Sequence, residues 1–273
     1  MVARMNGEIV NQIIGLIRFS YPAKSGWQKT AGRPKDARAA LYDRERLERR
    51  FHLFENLTLP SLCGQEDQDF STGVLIGEDA PEWMVSRLLA LIDQVPNVAV
   101  ISLPVLKHYP ATQKAFDRLK RPEASHVTTF RLDDDDAVDL RYIKRLRRIS
   151  GAMIRVTPKA ETAVAFNRGF FFIHNPGRSE VFDVIERYPV GIGLALVTPA
   201  ESDANIFQRN HRRLTQFYTC YSDARVPTFI RTVHQDNDAD PHMSGQRGLY
   251  DEDRIRMVLK NNFAVTYDRL MQL

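Results

Sequence analysis

The chain has 273 residues, of which 43% are hydrophobic and 26% charged, and this predicts an ordinary globular protein with a substantial core. No run approaches the ~20 consecutive apolar residues of a membrane-spanning helix, and the N-terminal sequence lacks the pattern of a signal peptide. The net charge of +4 is too small to indicate nucleic-acid binding, and the two distant cysteines, Cys63 and Cys220, exclude a disulfide framework or a zinc signature. We therefore expect a soluble, cytoplasmic protein without a nucleic-acid partner.

Short apolar runs rich in β-branched residues alternate with helical segments in the first half of the chain. The predicted buried strands cover residues 13–17, 74–76, 98–103 and 127–132. The predicted helices cover residues 44–59, 81–95 and 111–121, and Asp43 is placed to cap the first of them. Because strands that alternate with helices pair in parallel through right-handed crossovers, we predict a Rossmann-like α/β sheet flanked by helices.

The second half of the chain favours a mixed, mostly parallel sheet. Residues 162–174 predict two strands joined at residues 167–169, and strand content continues through residues 181–199 and 227–234. Helices are predicted near residues 203–218 and 251–263.

Residues 138–150 predict an amphipathic helix with a basic outer side. Its basic residues are Arg141, Lys144, Arg145, Arg147 and Arg148. A solvated face with extended arginine side chains is the simpler interpretation. Contact with anionic lipid is the alternative, and it would make the protein peripheral at the inner membrane.

Four consecutive aspartates, Asp133 to Asp136, follow the fourth predicted strand, and ligands bind at this edge of open α/β sheets. One or two of these acids could cap a helix that starts near Ala137. Four are more than a cap needs, because two carboxylates ~5 Å apart repel by roughly 3 kcal/mol at an effective dielectric constant of ~20. Either their pKa values rise or a cation binds among them, and we favour a divalent cation.

Carboxylate oxygens without cysteine favour Mg²⁺ or Mn²⁺ as that cation. Such ions are commonly completed by substrate phosphates, which predicts a phosphorylated substrate. The sequence contains no Walker A loop, and its "GIG" at residues 191–193 is too short for a dinucleotide fingerprint. A metal would therefore supply much of the phosphate binding.

The blocks around these aspartates resemble a family of enzymes. A hydrophobic strand that ends in an Asp-x-Asp motif resembles the glycosyltransferases of the GT-A fold. The four blocks that resemble the bacterial rhamnosyl transferase family are "LIRFSYP", "LFENLTLPSLCGQEDQDF", "RLDDDDAVD" and "FIRTVHQDN". The resemblance covers most of the chain. It implies one GT-A-like catalytic domain over residues 1–273, with the nucleotide-sugar and metal site in residues 1–150 and the acceptor site in residues 151–273.

The resemblance also implies a reaction, a hexosyl or rhamnosyl transfer from a nucleotide-diphosphate sugar donor to a glycan or glycolipid acceptor. In GT-A enzymes the aspartates at this strand end hold Mn²⁺ or Mg²⁺ on the donor diphosphate. The matching residues are Asp133, Asp135 and Asp136, with Asp135 the strongest candidate, and His234 matches a later histidine ligand.

Donor binding is assigned to Arg18, Ser20, Arg131 and Asp134. Arg18 and Arg131 offer guanidinium groups for phosphate, and Ser20 offers a hydroxyl for the base or ribose. A structural ion pair between Arg18 and one of the acids is the alternative. We expect Asp135 to be an exposed edge carboxylate that contributes little to packing.

The sequence leaves the catalytic base and the reaction class open. Asp203, Asp236, Asp238 and Asp251 are all conceivable bases, and the polar loop around Trp27 could close over the donor. A Mg²⁺-dependent nucleotidyltransferase or phosphohydrolase would use the same aspartates. A non-catalytic polyanion-binding protein would use the basic helix instead.

Overall fold

A mixed sheet flanked by helices is the centre of the fold. The computed structural model describes residues 9–24, 34–175, 177–235, 237 and 243–273. The strands within these residues are β1 (Asn11–Arg18), β2 (Ser71–Gly77), β3 (Val98–Leu103), β4 (His126–Asp133), β5 (Ala137–Val138), β6 (Thr162–Phe166), β7 (Arg168–Asn175), β8 (Arg178–Ile185), β9 (Leu194–Pro199), β10 (Thr219–Asp223), β11 (Phe229–Val233) and β12 (Gln246–Arg247).

Seven of the described strands form the central sheet, in the order β10-β6-β9-β4-β1-β2-β3. Strand β9 runs antiparallel to both of its neighbours, β4 and β6, and the other pairings of this sheet are parallel. The predicted α/β fold with a mixed, mostly parallel sheet is confirmed. All four strands predicted in the first half of the chain are present, because each is a short run rich in β-branched and apolar residues; β1, β2 and β4 are buried along most of their length, and β3 forms the edge.

Helices cover both faces of the central sheet. The α-helices among the described residues are α1 (Pro34–Leu41), α2 (Arg44–Leu53), α3 (Leu59–Cys63), α4 (Glu82–Ile92), α5 (His108–Asp117), α6 (Tyr142–Val156), α7 (Glu252–Asn262) and α8 (Tyr267–Leu270). A π-helical segment, Phe54–Thr58, joins α2 to α3. Asp43 caps α2 as predicted, since its side chain accepts a hydrogen bond from the backbone N–H of Arg46 at 2.8 Å.

Aromatic packing fixes α2 against the end of β1. The ring of Phe19 lies 4.8 Å from that of Phe51 and 5.3 Å from that of Phe54, centroid to centroid, and all three side chains are fully buried. Burying rings of this size stabilises the contact by roughly 1.5–3 kcal/mol each. The helix therefore presents its neighbouring residue, Arg50, to the carboxyl edge of the central sheet.

A second sheet has the order β12-β8-β7-β11-β5. The sequence predicts β6 and β7 as one joined pair, but the two strands lie in different sheets. Asn167 separates them: its backbone N–H donates to Asp223 O at 2.8 Å, and its side-chain amide donates to Glu186 O at 3.0 Å. These bonds satisfy the backbone where the chain leaves the central sheet.

One predicted helix is wrong, and another begins later than predicted. Residues 203–218 contain a 3₁₀ helix at His211–Gln216 instead of an α-helix, because Asn205 and Asn210 bind backbone N–H groups two residues ahead and fix turns. No helix starts near Ala137, which belongs to β5, and α6 begins at Tyr142. The aspartates therefore do not cap a helix.

Candidate functional site

The carboxyl ends of β1 and β4 form the first part of the site. The two strands are parallel neighbours, and their register places Arg18 directly opposite Asp133. Arg18 Nη2 donates to Asp133 Oδ1 at 3.1 Å, and Arg131 Nη2 lies 3.5 Å from Asp133 Oδ2. Burial opposes ionisation of Asp133, but the guanidinium groups of Arg131 and Arg18 hold the pKa of its carboxyl below the ordinary value. Asp133 is therefore a carboxylate between two cations.

The other three aspartates are buried, with exposed fractions of 0% for Asp134 and 4% each for Asp135 and Asp136. The expectation that Asp135 is an exposed edge carboxylate is wrong. Burial has a physical reason, since each of these three carboxylates is held by a different group.

Asp134 is held by Arg50 of α2. Arg50 Nε donates to Asp134 Oδ2 at 2.8 Å, and Arg50 Nη2 pairs with the other carboxylate oxygen. This is the two-bond fork that a guanidinium makes with a carboxylate. Arg50 Nη2 also lies 3.7 Å from Asp135 Oδ2, so one buried cation serves two neighbouring acids.

Asp136 is held by the backbone of β11. Its Oδ1 accepts a hydrogen bond from the N–H of Thr232 at 2.9 Å. Directly after it, β5 pairs antiparallel with β11, with Ala137 opposite Ile230. Burial and the charges of Asp135 and Asp133 raise the pKa of Asp136 well above its ordinary value. Asp136 thus connects the four aspartates to β11, the strand that His234 directly follows.

Asp135 and His234 meet as a result. His234 follows the last residue of β11, and its Nε2 lies 2.9 Å from Asp135 Oδ2. Asn237 Nδ2 donates to the same oxygen at 3.3 Å. The sequence predicted both Asp135 and His234 as metal ligands, and the fold brings these two side chains into contact from positions 99 residues apart.

A metal ion at this pair would need ligands from elsewhere. Within the described residues, no group of three or more histidine, cysteine or acidic side chains is arranged to hold a metal. The Asp135 carboxylate fits Mn²⁺ or Mg²⁺, because such ions are commonly held by one or two carboxylates and complete their shell with substrate phosphates and water, and a neutral imidazole such as that of His234 is a common further metal ligand. Metal ligation by Asp133, Asp135, Asp136 and His234 stays a prediction.

Arg131 is packed to leave one of its donors unused. Within the described part of the chain, its Nε is buried and has no hydrogen-bond partner. A Cβ on residue 191 would lie 3.0 Å from the guanidinium carbon, so Gly191 is the residue that leaves room for Arg131. The "GIG" segment therefore packs against Arg131, one of the two arginines beside Asp133.

Phe207 contacts both Arg18 and Arg131, and His108 binds Arg18. The guanidinium carbons of Arg18 and Arg131 lie 5.4 and 5.2 Å from the centroid of the Phe207 ring. Arg18 Nη1 donates to His108 Nε2 at 3.0 Å. Burial, followed by the charges of Arg18 and Arg131, lowers the pKa of His108 to about 3, so its ring is neutral and can accept this bond.

Ser20 is buried and has an unusual backbone conformation, with a φ of 50°. Its hydroxyl accepts a hydrogen bond from Arg46 Nη1 at 2.9 Å. Left-handed backbone at a residue other than glycine is strained by about 1–3 kcal/mol and is common at functional sites. Donor binding by Ser20, Arg18, Arg131 and Asp134 stays a prediction.

The conceivable bases have different positions. Asp251 caps α7, because its side chain accepts from the N–H of Arg254 at 2.9 Å, and Asp203 is exposed. Asp236, Asp238 and Trp27 lie outside the described residues. Sequence reasoning missed Arg50, Arg46, His108 and Phe207, and the signal that could have found the arginines is the need of four adjacent carboxylates for cations.

The basic side of α6 is paired with acids of the segment before β2. Arg141 Nε and Lys144 Nζ donate to Glu66 at 2.6 and 2.9 Å, and Arg147 Nε donates to Asp67 at 2.7 Å. These contacts favour the interpretation of a solvated, internally neutralised face. No helix among the described residues is long and apolar enough to cross a membrane.

Solved structures with similar chains come from several bacteria. S. aureus TarS 1–349 in complex with UDP-GlcNAc is 11% identical, with a TM-score of 0.45, over 83% of this chain and 60% of that one. A "putative nucleotide-diphospho-sugar transferase" from Desulfovibrio desulfuricans G20 is 9% identical, with a TM-score of 0.39, over 78% of this chain and 80% of that one. The chain thus spans about 60% of the length of the TarS 1–349 chain and 37% of that of a longer TarS chain.

Sequence comparison gives two results. Among curated proteins, none matches this sequence. The family described as "Putative rhamnosyl transferase" matches residues 12–246, and the chain belongs to that family.

Proposed function

We propose that the protein is a metal-dependent glycosyltransferase that moves a sugar, rhamnose or another hexose, from a nucleotide-diphosphate sugar to a glycan or glycolipid acceptor. The observation that carries this proposal is the contact between Asp135 and His234, beside two arginines, at the carboxyl edge of the central sheet. Family membership supports the transferase class.

Each group of the site has a part in this reaction. Asp135 and His234 would hold Mn²⁺ or Mg²⁺, which when bound neutralises charge on the donor diphosphate. Arg18 and the unused Nε of Arg131 bind phosphate oxygens. Arg50, itself buried, pairs with Asp134 and lies 3.7 Å from Asp135, and so holds both carboxylates in place. The neutral ring of His108 orients Arg18 by accepting its hydrogen bond.

The bond changes follow from the donor chemistry. The acceptor hydroxyl oxygen bonds to the anomeric carbon as the bond from that carbon to the phosphate oxygen breaks, and the electron pair stays on the diphosphate. The hydroxyl proton is released. Cationic groups fixed beside the diphosphate stabilise the charge that develops on it in the transition state.

The test is nucleoside diphosphate release from a panel of nucleotide sugars, rhamnose donors included, with Mn²⁺, with Mg²⁺ and with a chelator. We expect metal-dependent release from a nucleotide sugar and no turnover of plain nucleoside triphosphates. Hydrolysis of triphosphates at an equal rate would contradict the proposal and indicate a phosphohydrolase. Release that is unaffected by the chelator would contradict the metal dependence.

A further inference from the structure

Asn237 lies at the end of a tight turn that follows β11. Its backbone N–H donates to His234 O at 3.2 Å, which closes a four-residue turn over residues 234–237. The side chain folds back on the same turn, because its Oδ1 accepts a hydrogen bond from the backbone N–H of His234 at 2.6 Å. Asn237 thus binds both polar backbone groups of His234.

The amide nitrogen of Asn237 contacts two further groups. Nδ2 donates to Asp135 Oδ2 and to Thr232 O, each at 3.3 Å. An amide NH₂ group has two hydrogens, one for each of these acceptors. The flipped amide would set its oxygen against a carboxylate oxygen and a carbonyl oxygen, and its NH₂ group against the N–H of His234. Only one orientation of the side chain therefore satisfies all three partners.

Thr232 extends this connection to the neighbouring aspartate. Its N–H donates to Asp136 Oδ1 at 2.9 Å, whereas its C=O accepts from Asn237. The end of β11 therefore holds Asp136 directly and Asp135 through the amide of Asn237. Both connections act on adjacent residues of the aspartate turn, so together they fix the position of that turn relative to His234.

The two oxygens of Asp135 have different surroundings. Oδ2 lies 2.9 Å from His234 Nε2 and 3.7 Å from Arg50 Nη2, and it accepts the bond from Asn237. Oδ1 accepts no hydrogen bond from any described residue. The three groups at Oδ2 therefore fix the carboxylate in an orientation that leaves Oδ1 for a ligand.

We propose that Asn237 is the positioning residue of the candidate metal site, which fixes His234 and Asp135 relative to each other and directs Asp135 Oδ1 to the cation. The role toward the cation rests on the proposed function. The fixed arrangement of the two side chains does not, because it exists in the protein without metal.

The experiment is a titration of the full chain with Mn²⁺, without donor, in which electron paramagnetic resonance measures the free ion. Groups that hydrogen-bond the ligands of a metal orient them, and losing one weakens metal binding by about 10–100-fold. We expect a loss of this size for Asn237→Ala. Asn97→Ala is the matched control, because it removes an amide that donates to Gln68 at 2.9 Å before β3, and it should bind Mn²⁺ as the wild type does.

A second readout needs no metal. In long-range ¹H–¹⁵N spectra of the metal-free protein at mildly alkaline pH, assigned with His234→Gln, the wild-type ring of His234 should show a single tautomer. The ring in Asn237→Ala should show the averaged shifts of two tautomers, because the turn that holds it is lost. A residue that only stabilises the fold would change neither this spectrum nor Mn²⁺ affinity.

The inference would be overturned if a folded Asn237→Ala variant kept both the Mn²⁺ affinity and the His234 spectrum of the wild type. If Asn237→Ala does not fold, Asn237→Ser decides, since serine suits a turn but is too short to contact Asp135, and wild-type behaviour of that variant would overturn the inference equally. A wild type that binds Mn²⁺ but turns over no nucleotide sugar would contradict the proposed function alone. A wild type that binds no Mn²⁺ would contradict the metal dependence and the role toward the cation, and the metal-free spectrum would then decide whether Asn237 positions the pair.

Discussion

Asp135 and Asp136 are adjacent in the sequence, yet their carboxylates have unlike partners. Asp135 faces a histidine side chain that is a good metal ligand, whereas Asp136 accepts a hydrogen bond from the backbone of β11. Sequence alone could not separate the two, because four identical residues in a row give no sign of which way each side chain points. The two carboxylates have different partners because of the position of β11, which is a strand of the second sheet.

Replacing each of these aspartates with asparagine tests the assignment. Asp135→Asn removes the anionic ligand, and we expect metal-dependent nucleoside diphosphate release to fall by at least ~100-fold. Asp136→Asn keeps an oxygen that can accept from Thr232, so we expect release to stay within a few-fold of the wild type. Steady-state release at saturating Mn²⁺ gives both values. Equal losses in the two variants would show that Asp136 also binds the metal.

The pair between Arg50 and Asp134 predicts a large effect on stability. Breaking a buried ion pair from one side leaves an uncompensated charge, so Arg50→Gln and Asp134→Asn should each lower the free energy of unfolding by about 3–5 kcal/mol. The free energy of unfolding of the double variant should fall by less than the sum of the two single losses, as measured by urea unfolding.

Arg145 and Asp139 provide a matched control for that pair. They form another two-bond pair, with both N–O distances at 3.0 Å, in which Asp139 is buried and Arg145 half-buried; both partners of this pair are remote from the bonds that Asp135 makes to Arg50, His234 and Asn237. Arg145→Gln should therefore cost stability without changing the affinity for Mn²⁺, whereas Arg50→Gln should change both. Equal Mn²⁺ titrations for wild type and Arg50→Gln would remove Arg50 from the site.

At the scale of elements, the first half of the chain was predictable and the second only in part. Strands β1 to β4 follow from short runs rich in apolar and β-branched residues that are separated by helical segments. The hydrophobic runs of β6 and β7 are equally clear, but local pattern does not say which sheet a strand joins. That choice depends on Asn167 and on distant partners.

The amphipathic pattern of α6 predicted its buried side correctly, but it did not predict the acidic partners of its basic side. The apolar side is buried as the spacing predicts, since Ile143, Leu146 and Ile149 are in the core. The basic side is opposed by Glu66, Asp67 and Asp69, which sequence periodicity could not place beside it. Acidic neighbours reduce the attraction of this face for anionic surfaces.

Removing those acids should therefore create a membrane-binding face. We expect the wild type to bind phosphatidylserine vesicles weakly, and the triple variant Glu66→Gln, Asp67→Asn, Asp69→Asn to bind more tightly, by about 1 kcal/mol for each basic residue released. Cosedimentation at low and at physiological salt measures both. Tight binding of the wild type, equal to that of the variant, would contradict neutralisation by the acids and indicate a peripheral membrane contact.

At the scale of the molecule, the candidate site lies where the two sheets meet. Its side chains come from the ends of β1 and β4, from α2 and from the residue after β11. The pairing of β5 with β11 joins the sheets beside the aspartates. The proposed division into a donor half at residues 1–150 and an acceptor half at residues 151–273 stays a prediction. Strands of both halves lie in the central sheet, so the two halves are not separate structural units.

The most direct test of the central claim is anomalous scattering from crystals grown with Mn²⁺ and a nucleoside diphosphate. We predict a manganese peak within bonding distance of Asp135 and His234, with the diphosphate completing the coordination and facing Arg18 and Arg131. A map with the nucleotide bound at this edge and no manganese at the pair would contradict the claim.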